Sequence, residues 1–298
     1  MKKEENISIV VASDNHYAVL IAALLKSIEL NHHTEEHIDF YIIDDGISKT
    51  NRAKINQCAD PRVITVKWFN SQDMIPEGVT IPVDSSAFPL TTYLRLFAPY
   101  TLPKEVTRML YLDVDTIVNK DISILWNSNL DSCTMGAVLD VGKTVDCPWG
   151  GIPNYKELGL LPTAKYFNAG IMLIDVVKWR DEEVTMKVID ALRIYKEHVV
   201  LVDQYGLNVV FANRWKELDP RWNWFATFDH EDPFLIHFLD IKPIFKSYNS
   251  QQKFADQFFK YLKLTPFKDF KKKSGYSRVF RKIYNKISKG VMKLLNKN

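Results

Sequence analysis

The run Met109-Leu110-Tyr111-Leu112-Asp113-Val114-Asp115 delivers two carboxylates, one residue apart, at the end of an apolar stretch. In an extended backbone alternate side chains share a face, so Tyr111, Asp113 and Asp115 point one way and Leu110, Leu112 and Val114 the other. Two converging carboxylates can share one divalent cation. A hard cation held by so few protein oxygens keeps open positions for a substrate's phosphates. The same spacing also occurs at solvated strand ends, so its surroundings must decide between the two.

No G-x-G-x-x-G follows the first apolar run and no G-x-x-x-x-G-K-[ST] occurs, so neither a dinucleotide fingerprint nor a P-loop supplies phosphate binding. A metal helped by basic side chains is the natural substitute, with Arg95 and Lys242 as candidates. Cys58, Cys133 and Cys147 are odd in number and lack paired metal spacing. They read as free thiols of a reducing cytoplasm, packed like small apolar residues.

The elements that must position these groups alternate in type. Ile7 to Ala12 reads as a buried strand and Tyr17 to Leu30 as a helix with Leu20, Ala23, Leu24, Ser27 and Ile28 on one side. A strand from Ile38 to Ile43 ends in the turn signal Asp44-Asp45-Gly46, before a helix capped by Ser48. Arg62 to Phe69 is the third strand, Thr91 to Tyr100 the next helix, and Met109 to Asp113 resumes the sheet. This order predicts an α/β fold with a single Rossmann-like, mostly parallel sheet covered by helices on both faces. Ligands of such sheets bind at the carboxyl ends of the strands, where Asp14 and the Asp113/Asp115 pair fall.

A chain of 298 residues, 46% apolar and 25% charged, suits one large soluble domain with an appendage or two small domains. The start, Met1 to Asn6, mixes charges and precedes an apolar run too short for a signal peptide, and no run reaches the length of a membrane span. The net charge of +3 hides a division: residues 268–298 carry eleven Lys and Arg against Asp269 alone, so the tail is +10 and the remainder −7. In the tail Val279, Phe280, Ile283, Tyr284, Ile287, Val291, Leu294 and Leu295 recur at helical spacing, with Arg281, Lys282, Lys286, Lys289 and Lys293 on other faces. The expectation is a catalytic domain over 1–267 and, over 268–298, an interfacial helix on an anionic membrane, with Lys271-Lys272-Lys273 as a hinge. A solvated or nucleic-acid-binding tail has the same composition. The membrane reading makes the protein cytoplasmic and peripheral on the inner face of the plasma membrane, with no nucleic-acid partner.

Six segments together carry a resemblance: Ala12-Ser13-Asp14-Asn15-His16-Tyr17, Thr91-Thr92-Tyr93-Leu94-Arg95-Leu96, Tyr111 to Asp115, Phe167-Asn168-Ala169-Gly170, Asp203-Gln204 and Ile236-His237-Phe238. In order and separation, over residues 7–245, the chain resembles the retaining glycosyltransferases of family 8. The resemblance implies a GT-A fold, a UDP-hexose donor, and Mn²⁺ bridging the diphosphate. On the matching positions it implies Asp113, Asp115 and His237 as metal ligands, a set that suits Mn²⁺ better than Mg²⁺. It implies Ala12, Asp14 and Tyr17 around the base and ribose, Arg95 and Lys242 toward the phosphates, and Val114 and Ala169 beside the donor. Asp140, Asn168, Asp203 and Gln204 would read the hexose hydroxyls, with Asp203 and Gln204 nearest the chemistry. Plainer roles exist for several: Asp14 as a helix cap, Arg95 in an exposed salt bridge, His237 as a core histidine, Asp203-Gln204 as the cap of a helix running to Phe211.

Two positions depart from the family's H-x-x-G and K-P-W pattern: Asp240 stands for the glycine and Ile244 for the tryptophan. A charge at 240 would lie near the diphosphate. The Gly- and Pro-rich stretch from Val141 to Lys165, between a strand ending at Asp140 and another at Asn168, reads as a loop over the donor. There Trp149 and Tyr155 could stack on a sugar or simply pack, and Arg221-Trp222-Asn223-Trp224 adds an aromatic pair nearby. Gln204 is a poor nucleophile and Asp203 only a candidate, which favours a front-face path over double displacement. Acceptors allowed by this reading are a glycan, glycolipid or glycoprotein, and galactose and glucose are equal as donor sugars. Rival functions are a nucleotide-sugar-binding peripheral membrane module without transferase activity and a nucleotidyltransferase, the latter disfavoured because Ser13-Asp14-Asn15-His16 is not a glycine-rich phosphate loop.

Overall fold

The computed structural model describes residues 6–82 and 88–295, with side chains described as far as Lys289. Residues 1–5 lie outside the described residues, and the side chains of Val291, Lys293, Leu294 and Leu295 outside the described side chains.

The first half follows the expected alternation. β1 (Ile7–Asp14), α1 (Ala18–Asn31), β2 (Ile38–Asp45), α2 (Lys49–Ile55) and β3 (Ile64–Asn70) succeed one another, and Ser48 caps α2 through the N–H of Asn51. α1 is apolar almost all round and buried over most of its surface, because β5 and α8, defined below, lie on it as well as the sheet.

The helix expected from Thr91 to Tyr100 forms in two pieces, a 3-10 segment Leu90–Leu96 and α3 (Ala98–Thr101). Pro99 has no N–H to continue a helix from Arg95, whereas at the first turn of α3 it costs nothing. β4 (Arg108–Leu112), β5 (Thr116–Val118) and α4 (Ile122–Trp126) follow, then β6 (Met135–Thr144) and β7 (Lys165–Asp175). β6 thus continues past Asp140, because Thr144 pairs with Lys165, and the loop shrinks to 145–164. α5 (Val176–Asp181), α6 (Val184–Ile194), α7 (Val202–Val210), β8 (Lys216–Glu217), β9 (Trp224–Phe225), β10 (Leu235–His237), α8 (Gln252–Leu262) and α9 (Gly275–Leu295) complete the chain.

The seven-stranded sheet has the order β3-β2-β1-β4-β7-β6-β8, and every neighbouring pair is parallel except the two made by β7. A three-stranded sheet, β5-β10-β9, sits beside it. Alternation divides the core between the two faces: Ile9, Val11, Leu110 and Leu112 pack toward α1 and α8, and Val10, Tyr41, Met109 and Tyr111 toward α6 and α7.

Packing is continuous across residues 267 and 268. Phe267 is buried, Phe270 packs on the core, and Lys273 bridges to the chain at 244–246 through Lys246 N–H to its carbonyl and its own N–H to Ile244 O. The Lys271–Lys273 segment is therefore tied down at its end, and the Lys273 ammonium donates to His16 O at 2.7 Å. No helix among the described residues is long and apolar enough to cross a membrane.

Candidate active site

β4 ends at Leu112, but the ladder reaches one residue further through Asp113 N–H to Gly170 O, 2.7 Å. That bond fixes where the first carboxylate emerges. β10 runs antiparallel to β5, pairing His237 with Thr116, which sets the imidazole beside both aspartates. Donor atoms of Asp113, Asp115 and His237 all lie within 4.8 Å of one another, the one such trio among the described residues. His237 Nε2 stands 3.8 Å from Asp113 Oδ2 and 3.4 Å from Asp115 Oδ1. Its Nδ1 is 2.9 Å from Asn223 Oδ1. A carboxamide oxygen only accepts, so Nδ1 carries the proton and Nε2 turns a lone pair toward the carboxylates. One imidazole nitrogen and two carboxylates, already converged, make a fitting donor set for a divalent cation of the Mn²⁺ kind.

Gly170 makes the convergence possible. A Cβ there would come within 2.6 Å of His237 Cε1, 2.8 Å of Asn168 Oδ1 and 2.9 Å of Asp113 Oδ2.

Arg95 is buried beneath the cluster. Its guanidinium lies 3.3 Å from Asp113 Oδ1 and 2.9 Å from Asp203 Oδ2, donates to Ala169 O at 2.6 Å, and stacks 4.7 Å over the Tyr111 ring. It holds carboxylates in place and is not a free fork awaiting a phosphate, nor is it the exposed salt bridge that a surface helix would give. Asp203 sits in the first turn of α7, fully buried, and neither of its oxygens has an aligned hydrogen-bond donor. Burial pushes its pKa up to about 6, against the pull of Arg95. Val202 before it has φ 42°, which a β-branched residue seldom adopts, so the entry to α7 is strained where Asp203 is presented. Asp115 is held below the usual carboxylate range: burial works against its charge, and the ammonium of Lys242 outweighs it.

Asp140, Asn168, Ala169 and Gln204 form one network. Asp140 Oδ2 accepts from Asn168 Nδ2 and Gln204 Nε2, each at 2.9 Å, while Gln204 Oε1 accepts from Ala169 N–H at 2.9 Å. Asn168 Oδ1 in turn accepts from Gly170 N–H and from Asn223 Nδ2, joining this network to the metal-type cluster. The backbone supplies these groups because β6 and β7 slip register between Ala137, opposite Met172, and Val138, opposite Asn168. The bulge frees the Ala169 N–H and C=O from the β6 ladder for Gln204 and Arg95.

Arg95, Asp113, Asp115, Asp140, Asn168, Asp203, Gln204 and His237 line a cavity of about 500 Å³, with Ala12, Asp14, Tyr17, Val114 and Lys242 on its wall, whereas Ala169 is not on that wall and serves through its backbone. Asp14 Oδ1 accepts from the N–H groups of His16 and Tyr17, closing the turn before α1, whose N-cap is Tyr17. Asp14 Oδ2 pairs with Arg281 of α9. Lys242 Nζ stands 2.5 Å from Asp115 Oδ2. Asp240 occupies a left-handed position, φ 55°, which explains a glycine there in the family pattern; aspartate is among the residues that tolerate it. Its carboxylate reaches Arg278 at 2.9 Å. Ile244 is fully buried, filling core space where the pattern has tryptophan. Trp149 stands exposed at the cavity wall, but Tyr155 packs against the core and is not available for stacking. The expected aromatic pair divides likewise: Trp222 is buried, and Trp224 bonds to Phe228 O.

Asn223, Gly170 and the α9 residues Arg278 and Arg281 belong to the site although the sequence reading gave none of them a role in it. Only the charge of the tail hinted at the last two.

The family model described as Glycosyl transferase family 8 matches residues 8–279. General stress protein A of Bacillus subtilis (strain 168) is 29% identical over 287 residues, covering 89% of this chain and 96% of that protein. Lipopolysaccharide 1,2-glucosyltransferase of Escherichia coli (strain K12) is 27% identical over 228 residues, covering 76% of this chain and 64% of that enzyme. The structure of galactosyltransferase LgtC in complex with donor and acceptor sugar analogs superposes with a TM-score of 0.70 at 25% identity, covering 87% of this chain and 96% of LgtC.

Proposed function

This chain belongs to glycosyl transferase family 8 and has its GT-A fold, and from that premise we propose a UDP-hexose-dependent, retaining transferase. It moves galactose or glucose to a hydroxyl of a cell-surface glycan, glycolipid or glycoprotein, with Mn²⁺ held by Asp113, Asp115 and His237. The carrying observation is that this trio opens onto the same cavity as a satisfied polar network of Asp140, Asn168 and Gln204. LgtC was crystallised with donor and acceptor sugar analogs in a fold this chain shares.

A divalent cation bound there would offset the charge of a diphosphate leaving group. Lys242 adds a second positive charge beside the same carboxylates. Short polar groups suit a hexose, whose hydroxyls each need a partner once removed from water. Double displacement needs a carboxylate free to attack carbon 1 of the sugar. Asp140 already accepts from Asn168, Gln204 and the Val141 N–H, Asp203 is wholly buried against Arg95, and both ends of the Gln204 amide are engaged. These facts support front-face substitution. The acceptor oxygen bonds to carbon 1 on the side that UDP leaves, the C1–O bond to phosphate breaks with its electron pair, and the acceptor proton passes to the departing diphosphate. Asp203 then works through Arg95, and Gln204 by orienting the Ala169 backbone and Asp140.

The tail supports a place at an anionic membrane, on the inner face of the plasma membrane, since α9 exposes Tyr276, Val279, Phe280, Ile283, Tyr284 and Ile287. The charge of Asp240, which would favour a nucleotide-sugar-binding module without transfer, is paired with Arg278.

Release of UDP from UDP-galactose and UDP-glucose, with and without Mn²⁺, tests the reading. Mn²⁺-dependent release that is lost in Asp113→Asn and Asp115→Asn supports it. Tight UDP binding without release from any UDP-hexose, whatever the acceptor, would instead establish the binding module.

A further inference from the structure

α9 is turned inside out for a surface helix. Most of its long polar side chains turn toward the protein: Arg278, Arg281, Lys282 and Asn285 line the cavity and Lys289 is buried, with Lys286 left exposed. Its apolar side chains, Tyr276 through Ile287, face solvent at 48–77% exposure. Two ion pairs fasten the inner face, Arg281 to Asp14 at the end of β1 and Arg278 to Asp240 beyond β10, and Lys273 is tied to His16 just before the helix begins. With α9 in place the cavity still measures about 500 Å³, inside the range of roughly 300–1,000 Å³ for ligand pockets. The helix therefore roofs the cavity and does not fill it.

Charge says what the roof is for. Six carboxylates line the cavity: Asp14, Asp113, Asp115, Asp140, Asp203 and Asp240. The rest of the fold sets only Arg95 and Lys242 against them, and α9 contributes three of the five Arg and Lys side chains on the wall. A polyanionic ligand entering without α9 would meet a strongly negative chamber. Arg281 also has a buried Nε–H with no acceptor, a vacancy that a ligand oxygen would fill.

We propose that α9 is the roof of the donor cavity, and that Arg278 and Arg281 are positioning residues that prepare it for an anionic nucleotide-sugar. This rests on the proposed donor of the same cavity. Asp14 thereby anchors the helix, its two oxygens being committed to Arg281 and to the turn before α1. Asp240 takes a role the family's glycine does not have, as the second anchor.

The test uses the full chain in buffer free of vesicles and detergent. Three quantities are read: amide hydrogen exchange over residues 275–289, UDP affinity with Mn²⁺ by calorimetry, and donor KM from UDP release. Arg281→Ala, Arg278→Asp and Asp240→Arg each speed exchange in α9, weaken UDP at least tenfold and raise donor KM by a similar factor, with a smaller fall in kcat. The exchanged pair Asp240→Arg with Arg278→Asp restores protection and most of the affinity, which a merely misfolded variant could not do. Faster exchange with UDP affinity inside twofold of the parent overturns the proposal, and tighter UDP binding on release overturns it in favour of an autoinhibitory cap. Absence of UDP binding in the parent protein sinks the donor reading itself, a result that exchange data on the latches do not mimic.

Discussion

Gly170 and Asn223 show how much of the site depends on residues with little chemistry of their own. Gly170→Ala would drive a methyl group into His237, Asn168 and Asp113 at under 3 Å, so the trio must spread. The expected result is loss of Mn²⁺ binding, read by electron paramagnetic resonance, in a protein that still folds. Asn223→Ala removes the acceptor that fixes the proton on His237 Nδ1, and partners of this kind are worth about 10–100-fold in metal affinity. A calorimetric Mn²⁺ affinity within twofold of the parent would refute that role. Asp113 and Asp115 could be picked out in the sequence by type and spacing, and His237 through the family resemblance. Asn223 matters only because folding sets its amide against an imidazole fourteen residues on, and nothing in the string Arg221-Trp222-Asn223-Trp224 marks it.

At the scale of elements, the β6–β7 bulge and α9 do the positioning. Periodicity announces strands, yet a slip of register that frees the Ala169 backbone is decided by how β6 and β7 meet. α9 leaves a titratable marker at its docking site. His16 has a buried Nε2 without a partner, and burial foremost, then Lys273 and Arg281, against Asp14, bring its pKa down to about 4 from 6.5. A depressed histidine binds fewer protons folded than unfolded between those values, so its stabilisation is complete above pH 6.5 and is lost as the pH falls toward 4. Removing residues 275–298 takes away Arg281 and opens the ring to water while keeping Lys273. The His16 pKa, followed by NMR, should then climb toward 6.5, and the acid-side loss of stability should shrink. A pKa still near 4 would show that α9 contributes nothing there.

For the whole molecule, the division of charge between a +10 tail and a −7 body has a double reading. Part of the basic charge is spent inward, on Asp14, Asp240 and the cavity, while Lys286 lies exposed beside the outward apolar face. A bilayer would meet that apolar face. Co-sedimentation with vesicles rich in phosphatidylserine should be strong at low salt and fall as salt screens the basic residues, each worth about 1 kcal/mol near the surface. Phe280→Asp should lower the vesicle partition constant at least tenfold, since burying such a ring is worth about 1.5–3 kcal/mol. Binding indifferent to both salt and Phe280 would remove the membrane from the account.

Residue type and spacing by themselves pointed to the alternation of β1 to β4, the acidic pair and an amphipathic basic tail, while the resemblance carried by six short motifs supplied the family and added the distant histidine to that pair. Those properties are written locally, in periodicity and side-chain chemistry, or in motifs short enough to read in order. Tertiary structure alone decided that Arg95 is spent on Asp113 and Asp203, that Asp240 is answered by Arg278, and that the tail helix turns its charges inward over the cavity. Each of these is a pairing of charges or faces between segments far apart in the chain. A helical repeat fixes which residues share a face, but the face it turns to the protein is chosen by the partners waiting there.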